Sequence, residues 1–162
     1  MSEIIKVGMA DLKTCKAPDG VITLGLGSCV GIALRDPATG IGGLVHIMLP
    51  DSTAMRGNNS VLEKFADTGI DELVRQLVAM GAARNRLVAK IAGGATMFQV
   101  QSRNEMMKIG ERNVEATIKK LNALNIKILA QDTGENYGRT VTFFPETGDF
   151  HIRAVGKSQK II

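Results

Sequence analysis

Cys29 and His46 are the residues of this chain best suited to form a nucleophile–base pair. A free thiol has a pKa of about 8.5, so little of it is thiolate at neutral pH. A neighbouring imidazole takes the thiol proton and later passes it to a leaving amine. The segment Val21-Ile22-Thr23-Leu24-Gly25-Leu26-Gly27-Ser28-Cys29-Val30-Gly31 sets Cys29 among three glycines. Glycine inside a strand weakens it and marks close approach by a ligand or another backbone. If residues 23–29 stay extended, Thr23, Gly25, Gly27 and Cys29 share one face. That arrangement predicts a bare groove with a hydroxyl at one end and a thiol at the other. A third polar group orients the imidazole of such pairs, and Thr23 is the candidate.

A hairpin must bring the pair together. Residues 30–35 and 41–49 read as strands joined by the tight turn Asp36-Pro37-Ala38-Thr39-Gly40. One register sets His46 opposite Cys29, and another sets it opposite Gly31, two residues along the same face. The register between them puts the two side chains on opposite faces. Spacing therefore permits the pair and leaves bland readings open. A cysteine in an apolar stretch is also a small buried hydrophobe, His46 between Val45 and Ile47 is also a core histidine, and Thr23 is also an ordinary strand residue. Gly27-x-Cys29-x-Gly31 mimics a nucleophile elbow, but an elbow needs a following helix, whereas Val30-Gly31-Ile32-Ala33-Leu34 reads as a strand. Cys15 falls in a polar loop, and His151 alternates with Phe150 and Ile152 on a surface strand.

The other elements follow from period and punctuation. Further strands are expected at residues 4–9, 21–27, 87–92, 126–130, 140–144 and 150–155, the last two forming a hairpin. Ile70, Leu73, Val74, Leu77 and Val78 share one face of a helix that ends at Met80-Gly81. Val114, Ile118 and Leu121 mark a second helix ending near Asn125. Residues 53–60 read as a polar loop and 157–162 as a frayed tail. About eight strands, several in hairpins, and two main helices predict an α+β fold with mixed or antiparallel sheets in a single domain spanning residues 1–162.

Composition narrows the function classes. The 162 residues are 44% hydrophobic and 22% charged, an ordinary globular balance. No apolar run reaches the length of a membrane span, and the first residues lack the pattern of a secretion signal, so the expected compartment is the cytoplasm. The net charge of +4 suits an acidic partner. Scattered positive charges, no Trp and one Tyr argue against nucleic acid. Two cysteines and two histidines far apart do not make a metal centre, and no cofactor is expected.

Five blocks together carry a resemblance. They are Thr23-Leu24-Gly25-Leu26-Gly27-Ser28-Cys29-Val30, Gly43 through Ser52, Ala89 through Phe98, Ile109-Gly110-Glu111-Arg112-Asn113-Val114 and Asp132-Thr133-Gly134. In order and spacing, across essentially the whole chain, they resemble the chemoreceptor glutamine deamidase family CheD. The resemblance implies layered sheets with both helices on one side, an α-β-β sandwich. It implies Cys29 as nucleophile, His46 as base and Thr23 as the third member. Gly25, Gly27 and Ser28 become expected substrate-contacting positions, and Phe98 a contact for substrate or partner. The implied activity is deamidation of glutamines on the cytoplasmic helices of methyl-accepting receptors. The implied second partner is the chemotaxis phosphatase CheC. A non-catalytic adaptor that binds receptors and CheC is the competing reading; a cysteine protease or transglutaminase would share the dyad.

Overall fold

A computed structural model describes residues 2–53, 61–97 and 108–162. Phe98 and most of the expected polar loop at residues 53–60 lie outside the described residues. In chain order the strands and helices are β1 (Ile4–Val7), β2 (Asp11–Lys16), β3 (Gly20–Leu26), β4 (Val30–Asp36), β5 (Ile41–Ile47), α1 (Ala66–Met80), β6 (Val88–Gly93), α2 (Ile109–Ala123), β7 (Lys127–Thr133), β8 (Arg139–Phe144), β9 (Asp149–Arg153) and β10 (Lys160–Ile161). One sheet runs β1-β3-β8-β9-β10 and the other β2-β5-β4-β6-β7. Each contains one parallel pair, β1 with β3 and β6 with β7, and is otherwise antiparallel.

Burial explains the layering. Strand β4 is buried on both faces. Val30, Ile32 and Leu34 point to a core shared with Ile70, Leu73 and Leu77 of α1 and Leu121 of α2. Cys29, just before β4, and Ala33 point instead to a second core with Leu26, Leu44, Val141 and Phe150. Helices, helix-covered sheet and outer sheet therefore stack as the expected α+β, α-β-β arrangement. Strand β5 lies between β2 and β4 with all its residues buried, so His46 is fully enclosed.

Several expectations need correction. Residues 11–16 form strand β2 along β5, and Cys15 is buried in it rather than lying in a loop. The interposed charges of Asp11, Lys13 and Lys16 hid its alternation. The tail does not fray: β10 pairs with β9, and Ile162 exchanges backbone hydrogen bonds with Phe150. Helix α1 ends at Gly81, which is left-handed at φ 118° as a C-cap glycine should be, but Val78 is exposed. Helix α2 packs its expected stripe of Val114, Ile118 and Leu121 on the core, but the fully buried positions beside Leu121 are Gly110, Asn113 and Thr117. Among the described residues, no helix is long and apolar enough to cross a membrane.

Asp36 locks the β4–β5 turn to the segment after α1. Its carboxylate accepts from the Ala38 N–H at 2.9 Å, the Ala83 N–H at 2.8 Å and the Arg86 guanidinium at 2.9 and 2.8 Å. The Arg86 bonds foremost hold its carboxyl well below the usual carboxylate range. A depressed carboxyl pKa contributes stability that is present above about pH 4 and lost as pH falls further. Asp36→Ala leaves two backbone donors without their acceptor. It is expected to lower unfolding free energy at pH 7 by on the order of 3 kcal/mol, measured by urea denaturation, with the deficit shrinking in acid.

Candidate active site

His46 sits near the end of β5 and faces the space between the sheets. Its neighbours in register are Asp11 on β2 and Gly31 on β4. This is the second of the two permissive registers, so Cys29 and His46 share a face. The imidazole Nδ1 lies 2.7 Å from Thr23 Oγ1 on the opposite sheet, and Thr23 Oγ1 donates to the Val7 carbonyl at 2.8 Å. A hydroxyl has one proton and a carbonyl can only accept. Both contacts are satisfied only if His46 Nδ1–H donates to Thr23 and Thr23 donates to Val7. The proton is then on Nδ1, and Nε2 carries the lone pair. Nε2 is buried and has no hydrogen-bond partner among the described residues. No hydrogen bond joins it to Cys29 Sγ in this resting arrangement.

Cys29 and His46 both rest uncharged. Burial pushes the Cys29 thiol up, against the opposing pull of its own backbone N–H. Burial also pulls the His46 imidazole down, opposed by the negative charge of Asp11. Asp11 was not apparent from sequence. Burial would raise its pKa, but the N–H groups of Gly8 and Leu12 and the Lys13 ammonium outweigh that and keep it low. The second thiol, Cys15, is pushed up to about 11 by burial and by Asp19.

The groove expected from extended parity does not form. Strand β3 stops at Leu26, residues 27–29 bend, and the β3–β8 register shifts between Thr23 and Leu26. Gly25 is left-handed at φ 70°, which turns Leu26 inward where parity had placed glycines. Thr23 and Cys29 still meet the same inter-sheet space, but through this turn. Met97 covers Gly27, where an added Cβ would come within 3.1 Å of its Cγ.

The bend is held from behind. The carbonyls of Gly27, Ser28 and Cys29 accept, respectively, from Ala95 N–H at 2.8 Å, Asn113 Nδ2 at 2.9 Å and Gly94 N–H at 2.8 Å. Gly93 and Gly94 at the end of β6 are left-handed and lie against the Cys29 carbonyl and α2, where any side chain would collide with Cys29 O or Val114. Asn113 also donates to the Met48 carbonyl at 3.0 Å. In the sequence Asn113 stands only within the block Ile109-Gly110-Glu111-Arg112-Asn113-Val114. A lone amide on the buried face of a helix was the available signal.

The fold and the site define a two-sheet α+β protein with a buried Cys–His–Thr cluster, and comparison with known proteins supplies the rest. Residues 48–154 match the family model CheD, described as CheD chemotactic sensory transduction. The chain is 63% identical over 162 residues to the probable chemoreceptor glutamine deamidase CheD of Lachnoclostridium phytofermentans, covering all of both chains. It is 51% identical over 162 residues to the protein so named in Syntrophomonas wolfei. It is 49% identical, again over all of both chains, to the chemoreceptor glutamine deamidase CheD of Halalkalibacterium halodurans. The chain belongs to the CheD family. The family-model match begins at Met48, beyond Thr23, Cys29 and His46, while the relatives align through all three.

Two consequences of the resting charges can be measured. Alkylation of Cys29 by iodoacetamide is expected to be slow at pH 7 and to rise only beyond the ordinary thiol range of about 8.5. A rate profile with its midpoint below that range would show a preformed thiolate instead. Because the folded-state pKa of His46 is depressed, its neutral form supports the fold above about pH 6.5, and that support is lost as pH falls. His46→Gln should flatten this part of the stability–pH curve.

Proposed function

We propose that this protein deamidates glutamine side chains of methyl-accepting chemotaxis receptors, with Cys29 as nucleophile, His46 as base and Thr23 as orienting group. The observation that carries the reading is the enclosed imidazole, whose Nδ1–H is spent on Thr23 and whose Nε2 lone pair faces the same inter-sheet space as Cys29. Burial keeps this imidazole neutral, which is the state a base needs.

The chemistry follows in two halves. As a receptor glutamine enters, His46 Nε2 takes the Cys29 thiol proton and Sγ attacks the amide carbon. Backbone N–H groups hold the oxygen as it becomes negative. His46 returns the proton to nitrogen, the carbon–nitrogen bond breaks and ammonia leaves a thioester. His46 then takes a proton from water, whose oxygen attacks the thioester carbonyl. The carbon–sulfur bond breaks, the thiol regains its proton and the product is glutamate, a site open to methylation. The imidazolium formed at each turnover is stabilised by Asp11 on the neighbouring strand.

The surface suits such a substrate. The net charge of +4 favours acidic receptor helices. Met9, Leu24 and Met97 are exposed on segments flanking the site and offer apolar contacts. CheC is the second partner of this reading, competing for the surface that receptors use, and the compartment is the cytoplasm, where those helices lie.

Incubation with a receptor cytoplasmic fragment, followed by peptide mass spectrometry, tests the reading. Wild-type protein should convert defined glutamines to glutamate with release of ammonia, and without cleavage or cross-linking. Cys29→Ala should abolish the conversion, and His46→Ala should slow it by about 10²–10⁴-fold. Thr23→Val should give a smaller loss. Full conversion by Cys29→Ala would leave the adaptor reading in its place.

A further inference from the structure

We propose that Asn113 of α2 is a positioning residue for catalysis, and that what it positions is the backbone N–H of Cys29 as the oxyanion donor. The proposal rests on the deamidase reading above.

The β4–β5 ladder ends at the pair Val30–Ile47. One rung further out, Cys29 would face Met48. There the Asn113 carboxamide spans the gap, donating one amide hydrogen to Ser28 O at 2.9 Å and the other to Met48 O at 3.0 Å. The residue before the nucleophile is thereby tied to the second residue after the base.

The peptide plane transmits this grip. The Ser28–Cys29 peptide is trans, since the one cis bond of the described chain is Ala17–Pro18. In a trans peptide the C=O and the following N–H point in opposite directions. Asn113 approaches from the helix layer and holds the Ser28 carbonyl on that side. The Cys29 N–H must then point the other way, toward the inter-sheet space that holds the Cys29 side chain. Among the described residues no backbone acceptor takes this N–H. In the resting site it meets only its own sulfur, and with no carbonyl holding it, it is a donor beside the nucleophile that can turn to an oxyanion when one forms, as oxyanion stabilisation requires.

The amide is an expensive way to hold a helix against a sheet. Asn113 is fully buried, and its Oδ1 has no partner among the described residues. A buried acceptor left unpaired is destabilising, and an apolar residue would fill the same place without that penalty. The two donated bonds are what an apolar residue cannot supply.

The test compares two reactions of Cys29. Deamidation builds an oxyanion, whereas alkylation by iodoacetamide attacks a saturated carbon and builds none. In Asn113→Leu, kcat for the receptor fragment should fall about 10²-fold, the size seen when one oxyanion donor is lost. KM and the alkylation rate should stay near wild type, with the fold retained by circular dichroism. Asn113→Asp, which keeps the side-chain shape but puts an oxygen with no proton to donate where Nδ2 faced both carbonyls, should show the same split and serves if the leucine variant does not fold. Parallel loss of deamidation and alkylation in the folded variant would mean a merely structural role and overturn the proposal. So would an unchanged kcat. If the wild-type chain shows no Cys29-dependent deamidation, the functional reading itself falls and takes the proposal with it; an active wild type beside an equally active Asn113→Leu overturns the proposal alone.

Discussion

A neutral imidazole enclosed between two sheets needs a partner for its N–H, and here the partner comes from the other sheet. The His46–Thr23 contact crosses the inter-sheet space at 2.7 Å. Thr23 can accept because its own proton goes to Val7, its partner in the parallel β1–β3 pairing. A shift of either sheet by one residue would turn Thr23 or His46 away and leave a buried donor unpaired. The same bond sets the tautomer, and the tautomer decides which nitrogen can act as a base. Sheet alignment and tautomer thus depend on one short hydrogen-bond chain, in which the ring N–H donates to the hydroxyl and the hydroxyl to the carbonyl.

The rest of the site answers to the burial that this arrangement imposes. Enclosure raises the thiol and lowers the imidazole, so no charge is stored in the resting site. Asp11 stands on the neighbouring strand with its negative charge opposing the fall of the imidazole pKa, satisfied by Gly8, Leu12 and Lys13 and so held in place. A second set of contacts works from the helix side, where Ala95, Asn113 and Gly94 hold three successive carbonyls of the Cys29 bend. One group of interactions fixes His46, another fixes Cys29, and the two meet only across the inter-sheet space.

Local chemistry made much of this legible beforehand. The tight turn at residues 36–40 announced the β4–β5 hairpin, and its permissive registers put Cys29 and His46 on one face. The period of α1 and its terminal glycine were plain. Strand β2 was missed because Asp11, Lys13 and Lys16 broke its apolar signal, and those charges only make sense beside the edge of β5 and the site. The apolar stripe of α2 packs on the core as its period predicts, but Asn113 and Thr117 beside it are buried polar residues, and hydrophobic period cannot see them. The tail looked frayed because its pairing with β9 is set only in three dimensions.

The sequence by itself determined most of the element types, the α+β class and the hairpin that carries Cys29 and His46. These depend on side-chain type and on spacing along one stretch of chain, which periodicity and turn chemistry encode directly. Only the tertiary structure decided that Thr23 meets His46 across the sheets, that Leu26 rather than a bare groove fills the turn before Cys29, and that Asp11 and Asn113 belong to the site. Each of these is a contact between segments that chain-local patterns do not relate. The reason is physical: a buried polar atom must find its partner wherever packing puts one, and packing is a property of the assembled layers.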